Sequence, residues 1–493
     1  MKYENPVLRG FYPDPSVCFA DGRYYMVCSS FQYFPGVPLF ESRDLVNWTQ
    51  IGHVLTRPEQ ITLKDVPSSG GVFAPTIRYH NGRFYMTTTN NSTGQNFYVW
   101  TDDVHGQWSD PICVEQDGID PSLLFADGKA YFTSTGRDDF GVSGIIQCEL
   151  DIATGRKLTP SKCIWHGSGG RFLEGPHLYK LDGWYYLFAS EGGTEYGHMM
   201  TLARSRDPWG PFENCQQNPI LTNRNKAPYP IQGIGHGDLV QGPDGNWYLL
   251  SLGFRQTGTW MPYHHLGREV FLTPVEQTAD GWFRCGTDGT TDQFYEVPIP
   301  GSQVRKQVWT FENTDWNIDW CFLRHPDRRN YQLGQGSAVL LGTDVSLNQP
   351  LSPTFVGLRQ REMSGLVRCS VSADGGEAGL TAYMTEQEHY DVGIRHTETG
   401  FEAFLRLRIG EIDHIQKSIP LKDGSAALKL VMEPLQYHFY VNETDMGFAQ
   451  TKYLSSEVAG GFTGVLLGLY AAGGSRAEFH EFECKYADRG GMA

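Results

Sequence analysis

Short apolar segments separated by Asp-Gly or Asn-Gly turns dominate the N-terminal part of the chain. Each unit has a strand-like segment before the turn and an aromatic one after it, as in Arg23-Tyr24-Tyr25-Met26-Val27. Asp-Gly and Asn-Gly readily supply the positive φ that a two-residue hairpin turn requires. The pattern therefore predicts five β-hairpins, whose turns begin at Asp21, Asn81, Asp127, Asp182 and Asp244.

The hairpins recur at irregular intervals along the chain. Successive turns are 60, 46, 55 and 62 residues apart. Repeats of about 40–60 residues with an aromatic strand in each are typical of β-propeller blades. We therefore expect a five-bladed β-propeller over residues 1–297.

The pattern changes after a Pro/Gly-rich linker at residues 298–307. From residue 308 onwards, short segments alternate apolar and polar positions at about ten-residue spacing, which favours an antiparallel β-sandwich. We expect this second domain to cover residues 308–488, with strands at 365–371, 378–384, 390–395 and 462–470. The whole chain is thus predicted to be all-β, without a long amphipathic helix.

Composition narrows the class of protein. A chain of 493 residues is too long for one ordinary core, in agreement with two domains. The net charge of −16 argues against a nucleic acid or an anionic membrane as partner. No apolar stretch approaches the roughly 18 residues of a membrane span. The aromatic content of 13% suits a turn-rich β protein that binds a sugar.

Two further features bear on the compartment. No secretory signal precedes the first predicted blade. The ten cysteines are scattered and contain no Cys-x-x-Cys pair. Both features favour free buried thiols in a reducing cytoplasm, while disulfides stay open if the chain is exported by another route. The sequence also leaves a homo-oligomer open.

One residue in each unit stands seven or eight positions before the turn: Asp14, Ala74, Asp120, Glu174 and His236. If the strand that begins there is the innermost of its blade, rotation about the propeller axis brings all five residues to one mouth of the channel. Three of the five are carboxylates. Asp-Pro and Glu-Gly-Pro are also ordinary turn formers, so the alternative is a non-catalytic, carbohydrate-binding propeller. Three carboxylates at one equivalent place favour a catalytic site.

Glycoside hydrolysis needs one protonated and one ionised carboxyl group on either side of the scissile bond. Asp14 would be the base that activates a water, and Glu174 the acid, which requires a raised pKa. Asp120 would supply a like charge that raises this pKa, orient the acid or hold a sugar hydroxyl. Carboxyls on the first and fourth blades should lie about 6.5–9.5 Å apart, which predicts inversion at the anomeric carbon.

These residues belong to a set of motifs that carries a family resemblance. The motifs are Asn5-Pro6-Val7-Leu8, Tyr12-Pro13-Asp14-Pro15-Ser16, Phe34-Pro35-Gly36-Val37, Phe73-Ala74-Pro75, Asp120-Pro121-Ser122, Leu173-Glu174-Gly175-Pro176, Gly235-His236-Gly237-Asp238 and Leu266-Gly267-Arg268-Glu269. In order and spacing they resemble glycoside hydrolase family 43, and more narrowly its two-domain β-xylosidases and α-L-arabinofuranosidases. The match covers the propeller throughout and the sandwich more loosely.

The resemblance implies a five-bladed propeller with a concanavalin A-like sandwich and an inverting mechanism. It also implies Asp14 as base, Glu174 as acid and Asp120 as modulator of the acid's pKa. A Ca²⁺ ion on the propeller axis is allowed by the resemblance, but no oxygen-rich loop of this sequence indicates one. We therefore expect no required cofactor.

Four other residues are candidates for binding the substrate. Arg268 resembles the family arginine that reaches sugar hydroxyls and the acid, although a surface ion pair with Glu269 is the alternative. His236 resembles a histidine near the axis, beside a metal or water, or else it is structural. Phe31 and Phe73 offer aromatic faces to the C–H groups of a sugar ring, or else they pack between blades.

The sequence thus predicts an exo-acting, inverting glycosidase that releases terminal xylose or L-arabinofuranose from short oligosaccharides. β-Xylosidase is the favoured activity, and an α-L-arabinofuranosidase with little xylosidase activity is the alternative. We expect the sandwich to pack against the propeller and to close the site into a pocket, which favours chain ends over internal bonds.

Overall fold

The computed structural model describes residues 1–226, 228–258, 260–311, 316, 318–334 and 336–487. Within these residues the chain is all-β, as predicted. Its helical segments there are one short α-helix, Ser456–Ala459, and the 3₁₀ turns Pro58–Gln60, Arg328–Asn330 and Thr451–Leu454.

Five antiparallel sheets form the blades of the predicted propeller. The strands of the first two blades are Ser16–Ala20, Arg23–Val27, Gly36–Ser42 and Thr49–Leu55, followed by Thr76–His80, Arg83–Asn90, Gln95–Thr101 and Ile112–Val114. Those of the third are Ile119–Ala126, Lys129–Arg137, Ser143–Asp151, Arg156–Lys157 and Lys162–Trp165. Those of the last two are Glu174–Leu181, Trp184–Glu191, Met199–Ser205 and Glu213–Asn214, followed by Ile231–Gln241, Trp247–Arg255, Glu269–Gln277 and Phe283–Cys285.

The first strand of each blade lies innermost. Each of these strands contacts the first strand of the next blade, and that of the fifth blade contacts that of the first, so the five form a closed ring. The N-terminal segment seals the ring, because Leu8 pairs with Val270 and the Asn5 side chain bonds the backbone of Leu272 at both its N–H and its carbonyl. Lys2–Glu4 also pairs with Phe294–Glu296.

The predicted turn chemistry is found in four of the five hairpins. Asp21, Asn81, Asp127 and Asp182 have φ between 49° and 53°, and each is followed by a glycine that also has positive φ. The fifth turn has five residues between the paired strand ends Gln241 and Trp247, where the other four have two. There the Asp244 carboxylate accepts from Asn246 N–H and Tyr248 O–H. An acidic side chain thus closes this turn instead of a strained backbone.

The sandwich consists of two sheets around one large apolar core. One sheet contains Val308–Thr310, Tyr331–Gly334, Ser337–Leu341, Gly365–Ala373, Ser425–Met432, Gln436–Val441, Thr444–Gln450 and Arg476–Tyr486. The other contains Trp320–Leu323, Thr354–Arg359, Glu377–Tyr383, Glu388–Thr397, Gly400–Ile409, Ile412–Pro420 and Leu466–Ala472. The predicted strand 462–470 is therefore displaced, and Phe462 lies in the loop before the strand.

The two domains share a sheet. Tyr33–Phe34, from a loop of the first blade, pairs with Trp320–Leu323 at the edge of the second sandwich sheet. Residues 298–307, where we expect the linker, contain no strand, and strand pairing resumes at Val308–Thr310. The expected end of the sandwich at residue 488 lies outside the described residues. Backbone pairing between the domains fixes the sandwich against one side of the propeller.

Candidate active site

The backbone at the mouth of the channel is unusual in four blades. Asp14, Asp120, Gly175 and His236 have φ of 54°, 55°, 58° and 41°, a left-handed conformation. Asp14 lies just before its innermost strand, Asp120 and Gly175 are second in theirs, and His236 is in the middle of Ile231–Gln241. Pairing with the second strand shifts register next to Asp120, Glu174 and His236. Such bulges re-aim side chains. In the fourth blade the left-handed residue is Gly175, and Glu174, eight positions before the turn, directly precedes it.

Gly175 is needed for space as well as for its φ. A β-carbon at this position would come within 3.0–3.1 Å of three atoms of the His236 ring. The imidazole therefore lies flat over the backbone that follows Glu174, which brings the fourth and fifth blades into contact.

Asp14 is buried and held by three groups. Ser29 Oγ donates to Asp14 Oδ2, Arg268 Nη1 donates to Oδ1 at 3.3 Å, and His236 Nδ1 lies 3.6 Å from the same oxygen. Burial raises the pKa of Asp14, but the charges of Arg268 and His236 and the bond from Ser29 outweigh it, so the pKa lies below its ordinary value. Asp14 is therefore an ionised acceptor at neutral pH.

Asp120 has the opposite electrostatic character. It is buried, and its Oδ2 accepts from the backbone N–H of Gly175 at 3.0 Å. Burial, together with the charges of Glu174 and Asp14, raises the pKa of Asp120 to about 7 against the lowering effect of His236. Asp120 has this raised pKa because it is buried next to two other carboxyls. The raised pKa that we expect for Glu174 stays a prediction.

Glu174 is partly open to the channel mouth and faces a histidine. Its side chain is 20% exposed, and Glu174 Oε1 lies 3.2 Å from Nε2 of the fully buried His198. His198 Nδ1 lies 3.2 Å from the carbonyl oxygen of Gly233. Gly235 makes room for this ring, since a β-carbon there would meet His198 Nδ1 at 2.4 Å. The three carboxyls are thus brought to one place, as the repeat predicts.

Arg268 is buried beside Asp14 and does not pair with Glu269. Its Nη1 also donates to Thr194 Oγ1 at 2.8 Å, and its Nη2 donates to the carbonyl oxygen of Phe462 at 3.3 Å. Glu269 instead pairs with Arg255 at 2.7 Å. Successive residues at the start of a strand point to opposite sides. The alternative of a surface ion pair between Arg268 and Glu269 is therefore wrong. Among the three carboxyls Arg268 contacts Asp14, where we expected a contact with the acid.

Phe31 and Phe73 form an aromatic cluster with a third ring from the sandwich. Ring centroids are 5.4 Å apart for Phe31 and Phe73, and 6.0 Å from each of these to Phe462. Ser69 Oγ accepts from Phe462 N–H at 2.8 Å, which ties the sandwich loop to the second-blade side of the mouth. Phe31 and Phe73 therefore pack against other aromatic rings, and the cluster that they form also lies beside Arg268.

His236 stands above a polar network that crosses the channel. Arg78 from the second blade donates to both carboxylate oxygens of Asp238, at 2.7 and 3.1 Å, and its Nη2 lies 3.0 Å from His177 Nδ1. Ser16 Oγ donates to Asp238 at 2.6 Å. Burial lowers the pKa of His177 to about 3, so the ring is neutral and accepts from Arg78.

This network bears on the Ca²⁺ ion that the resemblance allows. The positive charge between the innermost strands is that of Arg78. Arg78 pairs with Asp238, a carboxylate that a metal ion would need as a ligand. Among the described residues no group of three or more His, Cys, Asp or Glu is arranged to hold a metal ion. The donors there do not fit Ca²⁺, whose ligands are several oxygens.

Sequence reasoning missed four residues of the site: Ser29, Thr194, His198 and Phe462. Each lies outside the five repeated positions. For Phe462 the sequence pattern also predicts a place in a strand of the sandwich, away from the site. Only His198 carried a recognisable signal, since Gly197 and His198 follow the aromatic strand of the blade that bears Glu174.

Comparison with known proteins agrees with this site. The model of glycosyl hydrolases family 43 matches residues 3–283, and the β-xylosidase C-terminal concanavalin A-like domain matches residues 309–485. A Bacteroides ovatus protein named non-reducing end alpha-L-arabinofuranosidase BoGH43B is 37% identical, over 99% of this chain and 94% of its own. A Butyrivibrio fibrisolvens xylosidase/arabinosidase is 35% identical, over 98% of both chains.

A solved structure described as Bacteroides ovatus xyloglucan PUL GH43B is similar over 99% of this chain and 100% of its own, with a TM-score of 0.91 and 36% identity. Fold, carboxyl ring and both domain matches lead to the same class, the propeller glycosidases. The chain belongs to glycoside hydrolase family 43, and it is a glycoside hydrolase.

No helix among the described residues is long and apolar enough to cross a membrane.

Proposed function

We propose that this protein is an exo-acting, inverting glycosidase that releases a terminal pentose, foremost β-D-xylose, from the non-reducing end of short oligosaccharides. The observation that carries the proposal is the carboxyl ring. Asp14 is held ionised by Arg268, while the pKa of Asp120, beside Glu174, is raised to about 7. Acetal hydrolysis requires one ionised carboxyl and one carboxyl that retains a proton.

Asp14 is the proposed general base. Its Oδ2 is engaged by Ser29 and its Oδ1 by Arg268, so the carboxylate is fixed in one orientation. It takes a proton from a water, whose oxygen forms the new bond to the anomeric carbon. A carboxylate with a lowered pKa is ionised across the neutral range and is available at each turnover.

Glu174 is the proposed general acid. It gives its proton to the glycosidic oxygen as the bond from the anomeric carbon to this oxygen breaks. Asp14 then releases the proton it took from water to solvent, and Glu174 takes one up from solvent, which restores the starting state. With the Nδ1 proton of His198 directed at Gly233 O, Nε2 is a lone-pair acceptor facing Glu174 Oε1 at 3.2 Å. The buried ring therefore fixes where the Glu174 carboxyl can lie.

Asp120 is the proposed modulator, the residue that helps Glu174 to retain its proton. Asp120 accepts from the N–H of Gly175, the residue after Glu174, so it also fixes the backbone that carries the acid. Two neighbouring carboxyls cannot both ionise without repulsion. The pair therefore retains a proton at a pH where an isolated carboxyl has lost it.

The wall made by Phe31, Phe73 and Phe462 supports an exo mode of action. Phe462 reaches the propeller from the sandwich, and its carbonyl binds Arg268 while its N–H binds Ser69. The loop thus closes one side of the channel mouth. A site closed on one side accepts a chain end, and aromatic faces suit the C–H surface of a terminal sugar.

A second candidate is α-L-arabinofuranosidase activity with little xylosidase activity. It is favoured by the relative from Bacteroides ovatus, which is named as a non-reducing end alpha-L-arabinofuranosidase. Both sugars are neutral pentoses that would meet the same carboxyls, so we treat the two as competing substrates of one pocket.

The test is hydrolysis of nitrophenyl β-D-xylopyranoside and nitrophenyl α-L-arabinofuranoside by the folded protein. The proposal expects turnover of at least one, and a larger kcat/KM for the xyloside. A larger value for the arabinofuranoside selects the second candidate. Absence of turnover for both, with native folding shown by circular dichroism, removes the proposal.

We also propose that the reaction needs no cofactor and occurs in the cytoplasm on imported oligosaccharides. Arg78 at the axis supports the first point, and dialysis against EDTA should leave kcat unchanged. The ten cysteines are all free thiols, eight of them buried, which supports a reducing compartment. Cell fractionation with an antibody to the chain tests the second point.

A further inference from the structure

A second cavity lies between the domains, away from the carboxyl ring. It has a volume of about 670 Å³ and is lined by the first blade, the linker and the sandwich, including Trp48, Arg305 and Arg361. None of the residues that surround Asp14, Asp120 or Glu174 lines it. The proposed glycosidase mechanism leaves this cavity unused.

Arg305 brings a charge into this cavity, and no carboxylate of the described residues forms an ion pair with it. Its Nη2 makes one long bond to the carbonyl oxygen of Glu4, at 3.4 Å. Its Nη1 is buried and has no hydrogen-bond partner within the described part of the chain. A buried guanidinium nitrogen without a partner is costly, because its hydration has been removed and not replaced.

The neighbouring carboxylates are engaged by other cations. Glu362 pairs with Arg9 and also with Arg255, the latter at 2.8 Å. Asp319 pairs with Lys306 at 2.9 Å and with Arg361 at 3.0 Å. The cavity wall therefore has more positive than negative charge at Arg305. Burial, followed by the charge of Arg9, lowers the pKa of Arg305 to about 9, against the raising effect of Glu362 and Glu269.

The other walls suit the non-polar faces of a small organic molecule. Val7, Leu8 and Phe40 are buried against the cavity. Trp48 lines it too, and its indole N–H already donates to the carbonyl of Leu45 at 2.8 Å. This leaves the ring for apolar contact, as between an aromatic side chain and a sugar.

We propose that this interdomain cavity is a binding site for a small oxyanion, with a carboxylate-bearing sugar as the ligand that best fits its walls. The planar guanidinium of Arg305 matches a carboxylate or a phosphate group. A uronic acid would place its carboxylate on Arg305 and its ring against Trp48. Free phosphate shares the charge chemistry but not the ring contact. Because the ligand would touch propeller, linker and sandwich together, its binding would clamp the domains.

Isothermal titration calorimetry with sodium glucuronate, sodium phosphate and neutral xylose tests the site. The proposal expects glucuronate to bind in the millimolar range or tighter. It also expects at least tenfold weaker binding to Arg305→Gln and no change in Arg329→Gln, an exposed arginine whose side chain is 89% accessible. Tighter binding of phosphate than glucuronate supports the oxyanion site and assigns it to a phosphate source.

Thermal unfolding measures ligand binding at this site independently of calorimetry. Without ligand, Arg305→Gln should unfold at the same or a higher temperature than the wild type, because it removes a buried unpaired charge. Glucuronate should raise the midpoint of the wild type and not that of the variant. If Arg305→Gln fails to fold, wild-type crystals soaked with glucuronate decide, with the carboxylate expected on the Arg305 guanidinium. Absence of binding by both anions, equal binding to the variant, or ligand density elsewhere overturns the proposal. Xylosidase activity is measured in parallel, so failure of this site leaves the test of the catalytic proposal separate.

Discussion

Arg268 Nη1 in the fifth blade donates to Asp14 Oδ1 in the first blade at 3.3 Å, across 254 residues of sequence. The same nitrogen donates to Thr194 Oγ1 in the fourth blade, and the other terminal nitrogen reaches the Phe462 carbonyl of the sandwich. One guanidinium therefore links the proposed base, the blade of the proposed acid and the loop that closes the site. Its charge is also a main reason for the lowered pKa of Asp14.

Removing this charge should change the pH dependence of the enzyme. In Arg268→Gln we expect the acid limb of the kcat/KM profile to move to higher pH, because burial then raises the pKa of Asp14 without opposition from the arginine. We also expect kcat/KM at neutral pH to fall by about 10²-fold or more. Arg268→Lys keeps the charge and should move the limb less. An acid limb at its wild-type position in Arg268→Gln would show that this ion pair does not set the ionisation of Asp14.

Glu174→Gln and Asp14→Asn should separate the acid from the base. Each should lower kcat on nitrophenyl xyloside by about 10²–10⁴-fold, the usual contribution of general acid–base catalysis. A dinitrophenyl leaving group needs no protonation, so it should restore much of the activity of Glu174→Gln and little of that of Asp14→Asn. Steady-state kinetics with the two leaving groups measures this. Equal rescue of both variants is incompatible with the assigned roles.

Asp120→Asn should make the protein more stable at neutral and alkaline pH. The carboxyl titrates near pH 4 in the unfolded chain and near pH 7 in the folded one, so the folded state holds the extra proton between these values. Wild-type stability consequently falls as pH rises from about 4 to 7. The variant escapes this loss, with a gain on the order of 3 kcal/mol at pH 8 and little at pH 4.

Urea unfolding at several pH values measures this difference. In the same variant the alkaline limb of activity should move to lower pH, because the like charge beside Glu174 is gone. A constant stability difference from pH 4 to 8 would contradict the raised pKa of Asp120.

Phe462→Ala should weaken binding of the terminal sugar. The substitution removes the sandwich ring of the aromatic cluster but keeps the backbone groups that bind Arg268 and Ser69. We expect KM for nitrophenyl xyloside to rise about tenfold with a smaller change in kcat, as for lost contacts that do not strengthen in the transition state. Phe448→Ala is the matched control, since this ring is 50% exposed elsewhere on the sandwich. An unchanged KM would mean that the cluster serves domain packing alone.

Much of the propeller was predictable, because its signals are local. Asp-Gly turns specify hairpins within a few residues, and counting back from them finds Asp14, Asp120 and Glu174. Glu174 shows the limit of counting, since a bulge moves the equivalent place to Gly175. A bulge depends on how two strands pair and leaves little trace in the spacing.

The remaining site residues were set by tertiary contacts. Phe462 follows Gly460 and Gly461, both with positive φ, and the turn they make carries it out of the sandwich towards Ser69. His198 fits only because Gly235, in another blade, has no side chain. Neither contact has a periodic signature. Arg268 and Glu269 are adjacent in sequence, which suggested an ion pair between them. They do not pair, because successive side chains of a strand point to opposite faces.

The configuration of the released sugar shows whether a water or a carboxylate attacks the anomeric carbon. Proton NMR of the first minutes of hydrolysis of nitrophenyl β-D-xylopyranoside shows which anomer of xylose forms before mutarotation. With Asp14 activating a water and no covalent intermediate, the account predicts α-xylose first. Initial release of β-xylose would contradict it, because retention needs a carboxylate that bonds to the sugar.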